Sequence, residues 1–245
     1  MNKRAFTLVE LSVSIMIIGL LIALITGSSS LLANAKTNKL IREVLTIKQS
    51  FSLFETTYDA LPGDFNNAYS YWGTECDDSE DECNGDGNGQ ITTTAASATG
   101  ESNNESQYVF HHLNLSGILK KGSYTPETDE SYEYDFTFYS YDTQGIVYYP
   151  DTTTNFPEGA KNYLQIGTGA SEDGAYIVPK WAHKLDKKVD DGLPQTGVIT
   201  IYADTTDTTA DGINITCTGD GTTPSNVYQL SNDEISCNNL YDLDS

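Results

Sequence analysis

The sequence predicts an α+β protein in which one long N-terminal helix packs on an antiparallel β-sheet, with disulfide-closed loops. Three observations carry this expectation. An apolar run over residues 6–25 passes into a stripe of apolar residues at helical spacing. Residues 132–149 (YEYDFTFYSYDTQGIVYY) alternate aromatic with polar side chains, as half-buried paired strands do. Four cysteines fall into two sequence-local pairs, within stretches rich in Asp, Gly, Thr and Asn that have little core of their own.

The first element is set by its length. The run FTLVELSVSIMIIGLLIALI holds one charge, Glu10, and as a helix its 20 residues extend roughly 30 Å, the hydrocarbon thickness of a bilayer. Three readings compete for it: a secretory signal peptide, an ordinary signal anchor, and a cleaved leader whose apolar part stays on the mature protein. An ordinary signal has a short apolar core with small residues after it. Here the leader Met1-Asn2-Lys3-Arg4-Ala5 is very short, its small residue precedes the run, and the run continues into more helix. Glu10 is the second oddity, because a carboxylate within a membrane span costs several kcal/mol and usually has a purpose and a partner.

Leu40, Val44, Ile47, Phe51, Phe54 and Tyr58 follow at alternating steps of four and three, with Lys39, Arg42, Glu43, Lys48 and Gln49 off the stripe. Span and stripe together predict one helix of about 50 residues, half protruding and half clamped to a globular head. Gly19 and residues 27–30 (GSSS) are its weakest points. No proline precedes Pro62, and Asp59-Ala60-Leu61-Pro62-Gly63-Asp64 ends the helix.

Within the head, residues 106–122 read as a short helix with a Gly stop. Residues 178–189 read as a second helix, ended by Asp190-Asp191-Gly192 and leading into a strand at 198–202.

Charge divides the chain. Its 245 residues carry 13 Lys and Arg against 35 Asp and Glu, a net −22 that excludes nucleic acid as a partner by Coulomb repulsion. Residues 1–48 hold six bases and two acids, a net +4, which leaves −26 for residues 49–245. The basic part suits an anionic surface, and the rest is a solvated acidic body. With 38% hydrophobic and 11% aromatic residues, that body has enough apolar area to fold.

The residues Lys3-Arg4-Ala5-Phe6-Thr7-Leu8-Val9-Glu10-Leu11 resemble the class III leader junction of type IV pilins and type II secretion pseudopilins. Ala5 stands where that family more commonly has Gly, and is small enough to serve. The resemblance implies that a prepilin peptidase cuts between Ala5 and Phe6 and methylates the Phe6 amine, with Glu10 as the assembly carboxylate. It implies a pilin-like fold and a filament of packed N-terminal helices. A physical reason stands beside it: an ammonium stranded in a core of apolar helices needs an ionic partner, and a carboxylate four residues along supplies one.

The most suggestive segment of the head runs from Cys76 to Ile91. Asn84, Asp86 and Asn88 fall at alternate positions, Gly89 follows, and Gln90 offers a backbone carbonyl, as in the first half of an EF-hand-like calcium loop. The second half departs from that pattern. Position twelve is Ala95, so a bidentate carboxylate has to come from elsewhere, with Glu101 and Glu105 as the candidates. A calcium site and a solvated acidic loop both remain open here.

Asp186, Asp190 and Asp191 form a second acidic group, read either as a second cation site or as a capped helix end, for which no ligand is needed. His111, His112 and His183 lack zinc spacing and read as surface or helix-end residues. No nucleophile elbow, Cys-x-x-Cys or phosphate-binding loop occurs, and nothing in the sequence argues for catalysis. The cysteines allow three pairings; the local scheme, Cys76–Cys83 and Cys217–Cys237, is the expectation and implies an oxidising compartment.

The organisation expected is a leader at 1–5, a transmembrane and filament-core helix at 6–31, an amphipathic helix at 32–58 and an acidic pilin-like head at 59–245. The function expected is that of a structural, non-enzymatic subunit of a type IV pilus-like or type II secretion pseudopilus filament that supports protein secretion. The subunit waits in the bacterial inner membrane with its head in the periplasm. Its partners are other pilins, prepilin peptidase, the inner-membrane assembly platform and membrane lipid, with calcium as the one candidate cofactor. The rival is a membrane-anchored, calcium-dependent binding or adhesion protein outside the cytoplasm.

Overall fold

The computed structural model describes residues 7–76, 83–92, 105–119, 136–141, 143–149, 161–167, 174–201, 217–218 and 226–244, without the side chains of 23–30, 144 and 148. Helix α1, Leu8–Tyr58, is one unbroken helix of 51 residues that passes through Gly19 and 27–30. Thr7 caps its start in a reciprocal box with Glu10. Asp59 closes its end in the left-handed conformation, donating its N–H to Glu55 O at 2.8 Å.

The stripe on the inner half of α1 is where periodicity places it. Leu40, Val44, Ile47, Phe51 and Phe54 are buried and Tyr58 half-buried, in one core with Phe138, Val147, Leu164 and Ile166 of the sheet. Polar contacts fix the helix over the same surface. Tyr141 and Thr37 share a hydroxyl–hydroxyl hydrogen bond of 3.1 Å, and Ser140 donates to Glu43 at 2.7 Å.

After α1 come α2 (Ala68–Trp72) and a 3₁₀ turn (Gly73–Glu75), then α3 (Glu105–Leu115), close to the expected helix. The strands are β1 (Phe136–Phe138), β2 (Thr143–Tyr148), β3 (Tyr163–Gly167), β4 (Ile199–Thr200) and β5 (Asn239–Asp242), in the order β1-β2-β3-β5-β4 with all neighbours antiparallel. The first two form the expected hairpin, with Phe136 opposite Gly145. A Cβ on Gly145 would lie 2.5 Å from the Phe138 ring, so glycine there lets that ring fold across the sheet. β3 is buried along its whole length because it has partners on both edges.

Helix α4, Pro179–Val189, begins with proline in its first turn, where the missing N–H is no loss, and packs on α1 through a face containing Ala182 and Leu185. Two disulfides, Cys76–Cys83 and Cys217–Cys237, take the local pairing. Among the described residues no helix is long and apolar enough to cross a membrane. Residue 6 and the side chains of 23–30, which belong to the expected span and its flank, lie outside the described residues.

Candidate functional site

Two regions carry the functional residues. The first is the outer half of α1. Every large apolar side chain from Leu8 to Ile22 is at least 49% exposed, on all sides of the helix. A helix apolar all round is suited to apolar surroundings rather than to water, so this surface calls for lipid or a protein partner. Glu10 is the one charge among these residues. Its Oε2 accepts from the Thr7 N–H and from Thr7 Oγ1, both at 2.9 Å, while its own N–H donates to Thr7 Oγ1 at 3.3 Å. Glu10 is therefore held at the first turn of α1. Ala5 and Phe6, the expected cleavage and methylation residues, lie outside the described residues.

The second region is the loop at 84–92. The four expected calcium donors do not converge as in an EF-hand. Asn84 Oδ1 accepts from the Tyr69 N–H at 2.8 Å, within α2. Asn88 Oδ1 accepts from the Gln90 N–H at 2.7 Å, an Asx turn. Asp86 accepts from the Asn88 N–H and side-chain amide at 2.9 and 2.8 Å.

The loop is instead wound around two carboxylates from elsewhere in the chain. Asp64, in the turn after α1, accepts N–H groups from Gly87, Asn88 and Gly89 at 2.6, 3.1 and 2.7 Å. Glu105, the first residue of α3, accepts from the Asp86 N–H, the Thr92 N–H and Thr92 Oγ1, each at 2.8 Å. Two glycines allow this approach. Gly63 has φ +92° and packs against Glu105 O, and a Cβ on Gly85 would lie 2.4 to 2.5 Å from backbone atoms of Asp64. Asn162 completes the frame: it accepts from the Ile91 N–H at 2.9 Å and donates to Gly89 O at 3.2 Å and to Asp244 at 3.0 Å.

The result is a cluster in which Asp64, Asp86 and Glu105 bring carboxylate oxygens within 4.8 Å of one another. Asp64 and Glu105 are buried, and burial pushes both carboxyls above the ordinary range, with the Asp64 charge adding to the rise at Glu105. A cleft of about 680 Å³, lined by Phe51, Glu55, Asp59, Asp64, Asn162 and Asp244, opens beside it. The chemistry of this cluster is of the kind that suits a hard divalent cation; of the expected donors Asn84, Asp86, Asn88 and Gln90 it contains Asp86, together with Glu105, one of the two further carboxylates the sequence offered. Calcium there would favour the ionised carboxylates that burial disfavours.

Two histidines differ from the sequence expectation in their burial, although His112 does stand in the last turn of α3. His111 and His112 are buried rather than at the surface, because α3 is covered on nearly every side. His112 Nδ1 accepts from the Gly63 N–H at 3.0 Å, so its proton sits on Nε2, which donates to Cys83 O at 2.9 Å. His111 Nε2 donates to Cys76 O at 2.7 Å. Adjacent histidines thus hold the two carbonyls of one disulfide, and His112 also ties that disulfide to the turn carrying Asp64. Burial lowers the His112 pKa to about 3. No local spacing announces this clamp.

The second acidic group also assembles, as a capped helix end. Asp186 accepts from the Gly192 N–H and Tyr228 OH, Asp190 from the Ile199 N–H, and Asp191 from the Leu193 N–H and Thr196 hydroxyl. Burial raises the Asp186 pKa to about 6.

Residues 1–26 match the family model for the prokaryotic N-terminal methylation motif, the signature of the prepilin-type signal of type IV pilins and pseudopilins. The match covers the leader and the outer part of α1. It supports a processed, pilin-like or pseudopilin-like subunit, and so points to a structural protein. No curated protein and no solved structure matches the chain.

Proposed function

We propose that this chain is a structural subunit of a type IV pilus-like or type II secretion pseudopilus filament, cut between Ala5 and Phe6 and assembled from the bacterial inner membrane in support of protein secretion. The observation that carries the reading is the methylation motif on a helix whose outer turns are apolar on all sides and whose inner turns are clamped to a folded head. Such a helix satisfies its apolar surface in a bilayer or in a bundle of its own kind. Within that bundle Glu10 meets the Phe6 amine of a neighbour, which sets the register.

Sheared filaments are expected to contain this chain beginning at N-methylated Phe6, read by mass spectrometry of the N-terminal peptide. Glu10→Leu is expected to lower its incorporation about tenfold or more, since an unpaired ammonium in an apolar bundle costs several kcal/mol and each 1.4 kcal/mol is a factor of ten. Normal incorporation of the Glu10→Leu chain would remove Glu10 from the mechanism. A chain found only as a membrane monomer with its leader intact would overturn the filament reading.

One observation favours a second reading, a membrane-anchored, calcium-dependent binding protein: the Asp64–Asp86–Glu105 cluster beside an open cleft. Calcium would be held by those three carboxylates. Titration calorimetry on the full chain in detergent is expected to show a binding isotherm that Asp86→Asn weakens. A flat isotherm, with no thermal shift at millimolar calcium, would remove calcium from either reading.

A further inference from the structure

The acidic head has a basic foot, made by the fold. Lys184 donates to Asn34 and Lys188 to Asn38, the latter at 2.5 Å. The two contacts advance together by four residues, so α4 runs parallel and in step with α1. One turn earlier on α4, Lys180 and Trp181 therefore lie level with Leu31 on α1. That end of the head presents Leu31 and Leu32, 71% and 61% exposed, beside a half-buried Trp181 and an exposed Lys180. Just above are Lys36, Lys39 and Arg42 of α1, and Lys184, Lys187 and Lys188 of α4.

Seven of the chain's 13 basic residues thus gather where the apolar surface of α1 gives way to the head. Acidic groups among them are engaged: Glu43 with Lys39 at 3.6 Å, buried Asp186 with Tyr228, Asp190 with the Ile199 N–H, and Asp191 with the Leu193 N–H and the Thr196 hydroxyl. Asp59 lies 23 residues beyond Lys36 along α1, about 35 Å away and several Debye lengths at physiological salt.

We propose that this foot seats on an anionic phospholipid surface, with Trp181, Leu31 and Leu32 at the level of the headgroups and the lysines above them reaching to lipid phosphates. An amphipathic ring beside exposed leucines, with lysines just above, is the pattern of an interfacial anchor, in which the ring sits at the boundary and long cationic side chains reach the headgroups. The charges lie on the head side of the apolar segment, and processing at Ala5–Phe6 would remove Lys3 and Arg4 from the other side. The mature subunit would then be held electrostatically by one leaflet alone. The inference rests on the membrane-helix reading above.

The test uses the full chain with Trp72→Phe, leaving Trp181 as the reporter, reconstituted in phosphatidylcholine vesicles with and without roughly 30 mol% phosphatidylglycerol. Quenching of Trp181 by a headgroup-labelled lipid is expected to rise about threefold with phosphatidylglycerol, and to fall back in Lys180→Glu/Lys187→Glu, since basic residues near such a surface are attracted to its anionic headgroups. Salt at about 0.5 M is expected to abolish the difference. Equal quenching in the two vesicle types would overturn the proposal. So would quenching that follows protein density instead of lipid charge, which would assign the foot to a second copy of the chain. A chain that fails to co-float with any vesicle would instead remove the membrane-helix reading.

Discussion

His112→Leu is expected to lower the unfolding free energy of the head by about 3 kcal/mol, because it strands a buried N–H and a buried carbonyl at once. The groups are the Gly63 N–H and Cys83 O, and the leucine can meet neither. The wild-type imidazole also makes stability depend on pH. Its folded pKa is about 3 against an ordinary value of 6.5, so the unfolded chain takes up a proton between those limits and the folded chain does not. The contribution is full above pH 6.5 and is lost as pH falls towards 3, by up to about 4 kcal/mol.

Asp186, raised to about 6, acts in the opposite sense. Its protonation in the folded state favours folding increasingly as pH falls from 6 to 3.8, so the total profile is shallower than the histidine alone would give. Urea unfolding of wild type and His112→Gln at matched pH separates the two. Their difference is expected to shrink steadily from pH 7 to pH 3. A constant difference would mean that His112 takes no part in the acid transition.

Asp64→Ala is expected to destabilise the head by about 2–4 kcal/mol, measured by urea unfolding at pH 7, and to release the loop at 84–92 to hydrogen exchange. Three backbone N–H groups lose a shared carboxylate acceptor, and of these the Asn88 N–H keeps its bond to Asp86 Oδ1. Asp64→Asn keeps an acceptor oxygen and removes a charge that faces Asp86 and Glu105, so it is expected to cost less than half as much. The wild-type carboxyls of Asp64 and Glu105 are raised, so their contribution is present at low pH and declines as pH rises through their folded values. If Asp64→Asn proved as damaging as Asp64→Ala, the negative charge itself would be required, which would argue for a cation in the cluster.

Much of the molecule was legible because its determinants are local. The stripe from Leu40 to Phe54 specifies which face of α1 is buried, since a helical period needs no knowledge of what covers it. Alternation over 132–149 marked the β1–β2 hairpin, and short spacing marked both disulfides. The loop at 84–92 was legible as an acidic turn with Glu105 among its candidate partners, but Asp64 was not. Asx turns consume the side-chain oxygens of Asn88 and Asp86 locally, while the carboxylates that organise the loop come from Asp64 and Glu105, 20 residues before it and 13 after its last residue's hydrogen-bonded position, Thr92.

By itself the sequence determined a prepilin-type start, a single long helix with one apolar stripe, and a head with a large negative charge. Those properties follow from composition, period and nearest neighbours. Only the tertiary structure decided that Asp64 and Glu105 share a cluster with Asp86, that His112 joins a disulfide to the turn after α1, and that the lysines of α4 stand beside Asn34 and Asn38. Each is a contact between residues far apart in the chain, chosen by the packing of α3 and α4 against α1. Charge summed along a sequence carries no direction, and packing those helices converts a net of −22 into an acidic body with a basic foot.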